Sequence, residues 1–193
     1  MGPMVDLCFP MVGLSLSVDH GYALYAAVCR AAPRFHGEAG AGLGPVTGRY
    51  AGEGLLDIGP GSVLTLRLTG AAVADYLHLA GRTLEVEGHR LAVGPPRVLS
   101  LTPAGALAAR IVTTRNGHDH DRFVREAARQ MEAAGVSGNL EVGRRRTFRV
   151  QGLQVVGWEV RITDLSPGHS VRLQETGIGG RRRMGCGFFR PAK

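Results

Sequence analysis

The alternation of apolar and polar positions along this chain predicts a mixed succession of strands and helices. MVDLCFPMVGLSLSV, from Met4, is mostly apolar and predicts a first strand ending near Gly13. Asp19 is placed to cap a helix starting at His20 or Gly21, with Pro33 just beyond its end. Ala23, Leu24, Ala27, Val28 and Ala31 form an apolar stripe at helical spacing, and Tyr22, Tyr25 and Cys29 share a neighbouring face. GEAGAGLGPVTGRYAGEG is a glycine-rich connection with room for one short strand. SVLTLRLTG alternates as a strand, with Val63 and the leucines on opposite faces. GAAVADYLHLAGR predicts a short helix with Val73, Leu77 and Ala80 inward, and TLEVEGHRLAVG a hairpin turning through Glu87–His89.

PPRVLSLTPAG, residues 95–105, reads as a boundary, giving domains at 1–100 and 101–193. ALAARIVTTR opens a second strand series. HDRFVREAARQMEAAG is the clearest helix, with Phe123, Val124, Ala127, Ala128 and Met131 on one side and Gly135 as its stop. RTFRVQGLQVVGWEVRITDL and then SVRLQETG predict two or three further strands. Each half therefore runs roughly β-α-β-β with additions. The fold class this implies is α+β, two ferredoxin-like (RRM-like) units in tandem, although the halves share no obvious sequence identity.

Composition narrows the function. With 193 residues and 44% hydrophobic content the chain can bury a core, and no apolar run approaches the roughly 20 residues of a membrane-spanning helix. MGPMVDLCFPMVG lacks the basic start of a secretory signal, and three widely spaced cysteines with no C-x-x-C pair fit a reducing cytoplasm. The net charge of +7 is unevenly spread: residues 1–143 balance 12 Arg against 13 acids, while residues 144–193 carry 10 Arg and 1 Lys against 3 acids. Excess charge confined to one quarter of a chain is expected where a surface meets a polyanion.

Much of that charge lies in GIGGRRRMGCGFFRP, Gly177 to Pro191. Gly177, Gly179, Gly185 and Gly187 fit the form G-h-G-x5-G-x-G, where glycine lets backbone N–H groups approach phosphate oxygens. Arg181, Arg182 and Arg183 occupy the x5 insert, within reach of the same backbone or a base edge. Neither a dinucleotide-binding G-x-G-x-x-G in a βαβ unit nor a phosphate loop ending in Lys is present. Phe188 and Phe189 suit packing beneath the loop better than base stacking. In GRRRTFRV, Arg145 and Arg149 share one face of a strand and Arg144 and Arg146 the other, so at least one pair is exposed and a candidate for RNA contact.

This glycine pattern resembles the signature loop of the RAMP superfamily of CRISPR proteins, which are built from ferredoxin-like units. DHGYALYAAVCRAAPRFHG, Asp19 to Gly37, is similar to the first helix of the CRISPR repeat-RNA endoribonucleases within it. GRRRTFRV and GWEVRITDL resemble their second-domain strands, particularly in a compact subtype of type I systems. The resemblance implies a metal-independent cut that releases guide RNAs, with CRISPR repeat RNA as partner and no cofactor or metal. It also implies a catalytic histidine in or just after the first helix. His36 matches that place, in a glycine-rich loop after Pro33, and His20 at the helix start is the second candidate. Some members pair the histidine with a tyrosine where Cys29 stands here; Tyr25 or Tyr22, one and two turns earlier, are the available substitutes. The competing reading is a non-catalytic RAMP subunit that holds guide RNA beside other effector subunits. His118-Asp119-His120 lacks a third ligand and suits a helix start with Asp119 as N-cap, and His169 falls in an exposed turn without an evident partner.

Overall fold

The computed structural model describes residues 2–115 and 117–192, which fold as two compact units, Met1–Ser100 and Leu101–Lys193. In the first unit, β1 (Met4–Val12) is followed by β2 (Ser15–Ser17), α1 (Gly21–Ala31) and a 3₁₀ turn at Pro33–His36. Then come β3 (Gly42–Gly44), β4 (Arg49–Gly52), β5 (Leu55–Asp57) and β6 (Val63–Thr69). A run of 3₁₀ turns at Gly70–Leu79 leads to β7 (Thr83–Val86), β8 (His89–Val93) and β9 (Arg97–Ser100). β1 pairs antiparallel with β6 on one edge and with β9 and β8 on the other; β3 pairs with β6, and β2, β5 and β4 make a small separate sheet.

Cross-strand pairs explain why β1 and β6 hold this register. Leu7 faces Leu66 and Phe9 faces Leu64, a fully buried leucine-rich surface. On the opposite face Asp6 faces Arg67 and Cys8 faces Thr65. Arg67 is 1% exposed, and its guanidinium grips Asp6 through two bonds of 2.7 and 2.9 Å. A charge that deep is tolerable only with such a partner.

The second unit is a βαββαβ fold. It comprises β10 (Leu107–Val112), α2 (His120–Ala133), β11 (Asn139–Val150), β12 (Leu153–Thr163), α3 (Pro167–Thr176) and β13 (Arg190–Pro191). The sheet order is β11-β12-β10-β13, so the first strand is again internal. α2 starts where Asp119 accepts a hydrogen bond from the Arg122 N–H at 2.9 Å, and Gly135 follows it with φ +65°. Phe123, Ala127 and Met131 face the core with Leu173, Ile178 and Phe189.

Several sequence expectations are corrected. SVRLQETG is helical, because Ser166 caps the His169 N–H and Pro167 occupies the first helical position. His169 thus lies in a helix, its ring Nδ1 3.3 Å from the Ser137 backbone. Asp19 does not cap α1; the N-cap is His20, without a side-chain cap bond. The segment after β6 is 3₁₀ rather than α, and it buries Ala72, Tyr76 and Leu79, one residue earlier than the predicted Val73, Leu77 and Ala80. Ala128 is exposed, and the glycine-rich connection holds two short strands, β3 and β4.

The glycine-rich loop closes the second unit. Gly177, Gly179, Gly185 and Gly187 all have positive φ. A Cβ at Gly177 would lie 2.6 Å from the Gly187 carbonyl oxygen, at Gly179 2.6 Å from that of Thr113, and at Gly187 2.2 Å from that of Ile178. Their N–H groups donate within the unit: Gly177 to Leu173 O, Gly179 to Gln130 Oε1, Gly185 to Arg182 O and Gly187 to Ile111 O. This corrects the expectation that glycine serves phosphate approach here. It serves close packing of the loop on β10. Replacing Gly187 with Ala should cost at least ~2 kcal/mol. Gly152→Ala, in an open turn at φ +81°, should cost only about 1 kcal/mol. Thermal unfolding of the two variants checks this, and equal Tm losses would refute it.

Candidate active site

The site of interest begins with the end of α1. Leu24, Ala27 and Val28 bury one side of the helix, and Tyr25 is also 8% exposed. Pro33 cannot continue the helix, and the preceding Ala32 is held extended at φ −139°. The chain tightens into the Pro33–His36 turn, where Phe35 is completely buried. Its ring meets Tyr25 at 6.3 Å and the edge of Tyr76 at 5.9 Å. With Phe35 locked inward, the next residue, His36, faces solvent.

There His36 Nδ1 lies 2.7 Å from the Tyr25 hydroxyl. The pair is thus Tyr25–His36; Tyr22 sits 6.5 Å from Tyr25 ring to ring. Because Nδ1 is engaged, Nε2 is the nitrogen left to exchange a proton. With Nδ1 carrying its hydrogen and donating to the tyrosine oxygen, Nε2 can take a proton as a base and, once protonated, give it back as an acid.

A second cluster pins the loop beyond His36. Glu38 accepts from the Tyr76 hydroxyl at 2.8 Å and from Arg34 Nε at 3.3 Å, and Arg34 also bridges to Asp75 at 3.1 Å. Burial, then the hydrogen bond to Glu38, pushes the Tyr76 hydroxyl far above its ordinary pKa, so it stays a donor. Glu38 and Tyr76 were invisible to pattern reading. One sits in a glycine-rich stretch, and the other required the 3₁₀ phase.

His20 is placed differently. It is 1% exposed, with Nδ1 donating to Ser17 O at 2.6 Å and Nε2 accepting the Val46 N–H at 3.0 Å. Both nitrogens therefore brace the backbone around β2 and the 42–46 segment, leaving neither for a substrate.

In the second unit the register of β11 shifts between Val142 and Arg145, at the start of its arginine run. Arg144 and Arg146 share one partner, Glu159, and Arg145 and Arg149 are exposed. Burial would raise the Glu159 carboxyl, but hydrogen bonds and charge from Arg146, with help from Arg144, hold it below its ordinary range. In the glycine loop Arg181 is exposed with φ +60°, whereas Arg182 and Arg183 are half-buried and Arg182 donates to Gln174 O at 3.4 Å. Phe188 and Phe189 are buried under the loop, as predicted. Asp119 of the His118–His120 run is spent as the α2 cap, and His120 packs edge-on to Trp158 at 4.9 Å. Among the described residues no group of three or more His, Cys, Asp or Glu could hold a metal, and no helix is long and apolar enough to cross a membrane.

Two units of ferredoxin-like type, the second closed by this glycine loop, make up the fold that holds these residues. The fold matches a solved CRISPR-associated protein Cas6 with TM-score 0.68 at 13% identity, covering 98% of this chain and 99% of that one. A Cas6-related protein from Pyrococcus furiosus matches with TM-score 0.66 at 12% identity, over 97% and 98%. A RAMP protein described as binding different RNA substrates gives 0.65 at 12%, over 98% and 99%. In sequence, the Cas6 CRISPR family model matches residues 5–193. The CRISPR-associated endonuclease Cas6 of Myxococcus xanthus (strain DK1622) is 42% identical over 187 residues, 97% of this chain and 81% of that protein. The chain belongs to the Cas6 family.

The two histidines should separate on stability alone. His20→Ala orphans a buried carbonyl and a buried N–H and should cost about 2–4 kcal/mol, whereas His36→Ala should stay within ~0.5 kcal/mol of the parent. Denaturant unfolding measures both; a stable His20→Ala protein would free that residue for another role.

Proposed function

We propose that this protein is a metal-independent endoribonuclease that binds CRISPR repeat RNA and cuts the precursor to release guide RNAs. Membership of the Cas6 family and the M. xanthus endonuclease support the activity, and a fold match to Thermus thermophilus Cse3 bound to an RNA representing a pre-cleavage complex agrees with an RNA substrate. The observation that carries the mechanism is the Tyr25–His36 bond, which presents Nε2 of an exposed histidine.

RNA contains its own nucleophile, so the protein must supply proton transfer, alignment and charge. His36 Nε2 takes the proton from the 2′-OH next to the scissile phosphate. The 2′-oxygen attacks phosphorus, the P–O5′ bond breaks, and the departing 5′-oxygen takes a proton from solvent, while the imidazolium later releases its own proton to solvent. The products are a 2′,3′-cyclic phosphate and a 5′-OH end. Tyr25 orients the imidazole through Nδ1. Exposed Arg145, Arg149 and Arg181 hold the phosphates, while Arg144 and Arg146, tied to Glu159, form a reserve of partly neutralised charge. Arg182 and Arg183, half-buried, act mainly within the loop, and Gly177, Gly179, Gly185 and Gly187 shape it. The first unit carries the cutting residues and the second the basic RNA surface, with the cytoplasm as the place of action.

His36→Ala should lower the single-turnover rate by at least about 100-fold with little change in RNA affinity. Tyr25→Phe, losing one hydrogen bond of ~1 kcal/mol, should lower it about fivefold. Cutting should persist in EDTA, and a 2′-deoxy nucleotide 5′ to the cut should leave RNA bound but intact. Full loss in EDTA restored by Mg²⁺, or cutting of the deoxy substrate, overturns the mechanism.

Glu159→Gln should release Arg144 and Arg146 toward RNA. Affinity should rise, and its salt dependence should steepen by about 0.7 per added phosphate contact on a single strand. Filter binding across salt concentrations tests this; an unchanged slope would mean those two arginines do not reach the RNA.

A further inference from the structure

Beside the glycine loop, the second unit contains a cleft of about 620 Å³, within the roughly 300–1,000 Å³ range of small-ligand sites. The residues following β10, the middle of α2, the start of β12 and Gly180–Arg181 enclose it. Its lining is polar and basic. Arg115, Arg129 and Arg181 contribute three guanidiniums, and Glu126 is the one acidic side chain in the lining.

That acid is already committed. Arg129 binds both Glu126 oxygens, at 2.9 and 2.7 Å, and Gln130 donates to it at 2.7 Å. Hydrogen bonds from Arg129 and then Gln130 lower its carboxyl to about 2, so it stays ionised and paired at neutral pH. Arg115 and Arg181, by contrast, are exposed and meet no acidic side chain within ion-pair distance among the described residues. The cleft therefore carries uncompensated positive charge.

Two further observations point to an occupant. The Thr114 hydroxyl is buried, on a residue that lines the cleft, and has no hydrogen-bond partner among the described residues, a costly state unless a ligand completes it. Arg181 holds the left-handed conformation at φ +60°, in a loop that uses glycine at four other positive-φ positions. A glycine would relieve the strain at position 181, so keeping a side chain there needs a use for that side chain. The exposed Gln154 amide adds a hydrogen-bonding group suited to a base edge.

We infer that this cleft is a nucleoside-phosphate site that takes one unpaired nucleotide of the bound RNA. Arg115 and Arg181 grip its phosphate, the Thr114 hydroxyl bonds to it, and the Gln154 amide reads the base. The RNA source rests on the function proposed above; the nucleoside-phosphate chemistry rests on the cleft alone.

Trp158, the sole tryptophan, reports on the site, because its indole N–H donates to the carbonyl of Gly117 in the cleft lining at 2.9 Å. Titrating the full chain with 5′-AMP should change its fluorescence saturably, with adenosine or inorganic phosphate each binding about tenfold more weakly. Arg115→Ala and Arg181→Gly should each raise the AMP dissociation constant about tenfold. Arg181→Gly should keep or raise the Tm, which excludes unfolding as the cause. In the RNA arm, a single abasic nucleotide is stepped along the repeat. One position should weaken binding to the parent about tenfold and have no further effect on Gln154→Ala. AMP binding without such a position assigns the cleft to a free nucleotide and overturns the RNA part. No AMP response and no sensitive position overturns the inference entirely. Repeat RNA that fails to bind even the parent protein instead sinks the proposed function, and the AMP titration then decides the cleft by itself.

Discussion

Each unit hangs on a first strand hydrogen-bonded along both edges. β1 lies between β6 and β9, and β10 between β12 and β13. A strand in that position leaves the chain no choice but to cross over, build its neighbours and come back. The functional segments are by-products of those journeys. The crossover after β1 carries α1 and the tight turn that brings Tyr25 and His36 together. The return to β10 carries the glycine loop, whose missing side chains let the chain pass Thr113 and Ile178 at backbone contact. Closure of the second unit also drives Ile178 and Phe189 into the main core and Cys186 into a small cluster with Ile111 and Phe148.

The geometry of the Tyr25–His36 pair is an outcome of packing more than of polar design. Phe35 is the side chain that decides where His36 points, because consecutive residues in a tight turn diverge and only one can be buried. The Glu38–Tyr76 bond fixes the far side of the same turn. Burial of one aromatic ring thus converts into the orientation of a neighbouring imidazole, with little entropy left to lose when a substrate arrives.

The sequence was readable where local chemistry dominates. Asp119 as a cap, Gly135 as a stop and the alternation in β6 are short-range signals that tertiary structure had no reason to override. It misled where two periodicities compete. Val171 and Leu173 alternate like a strand, but Ser166-Pro167 starts a helix. The run from Gly70 is helix-like, yet its 3₁₀ winding turns Tyr76 inward. The pairing of Tyr25 with His36 across the end of α1 depends on how sharply the chain bends after Pro33, which side-chain spacing does not encode. The glycine pattern is plain in sequence, but its reason is not: Gly177 and Gly187 meet the loop's own backbone, and Gly179 meets Thr113, far away along the chain. Glu159's hold on two arginines was hidden likewise, since the ion pairs cross between strands.

The buried Asp6–Arg67 pair has a consequence for folding fidelity. β1 and β6 are both rich in leucine and similar apolar residues, and hydrophobicity alone would tolerate a sliding alignment between them. A one-residue slip would take Arg67 away from Asp6 and set it against Val5 or Leu7, leaving a guanidinium without a carboxylate at a site sealed from water. Unpaired burial of that kind costs about 3–5 kcal/mol, enough to empty the misaligned state. The pair works as a key cut for one alignment, a proofreading contact that acts while the sheet is assembling.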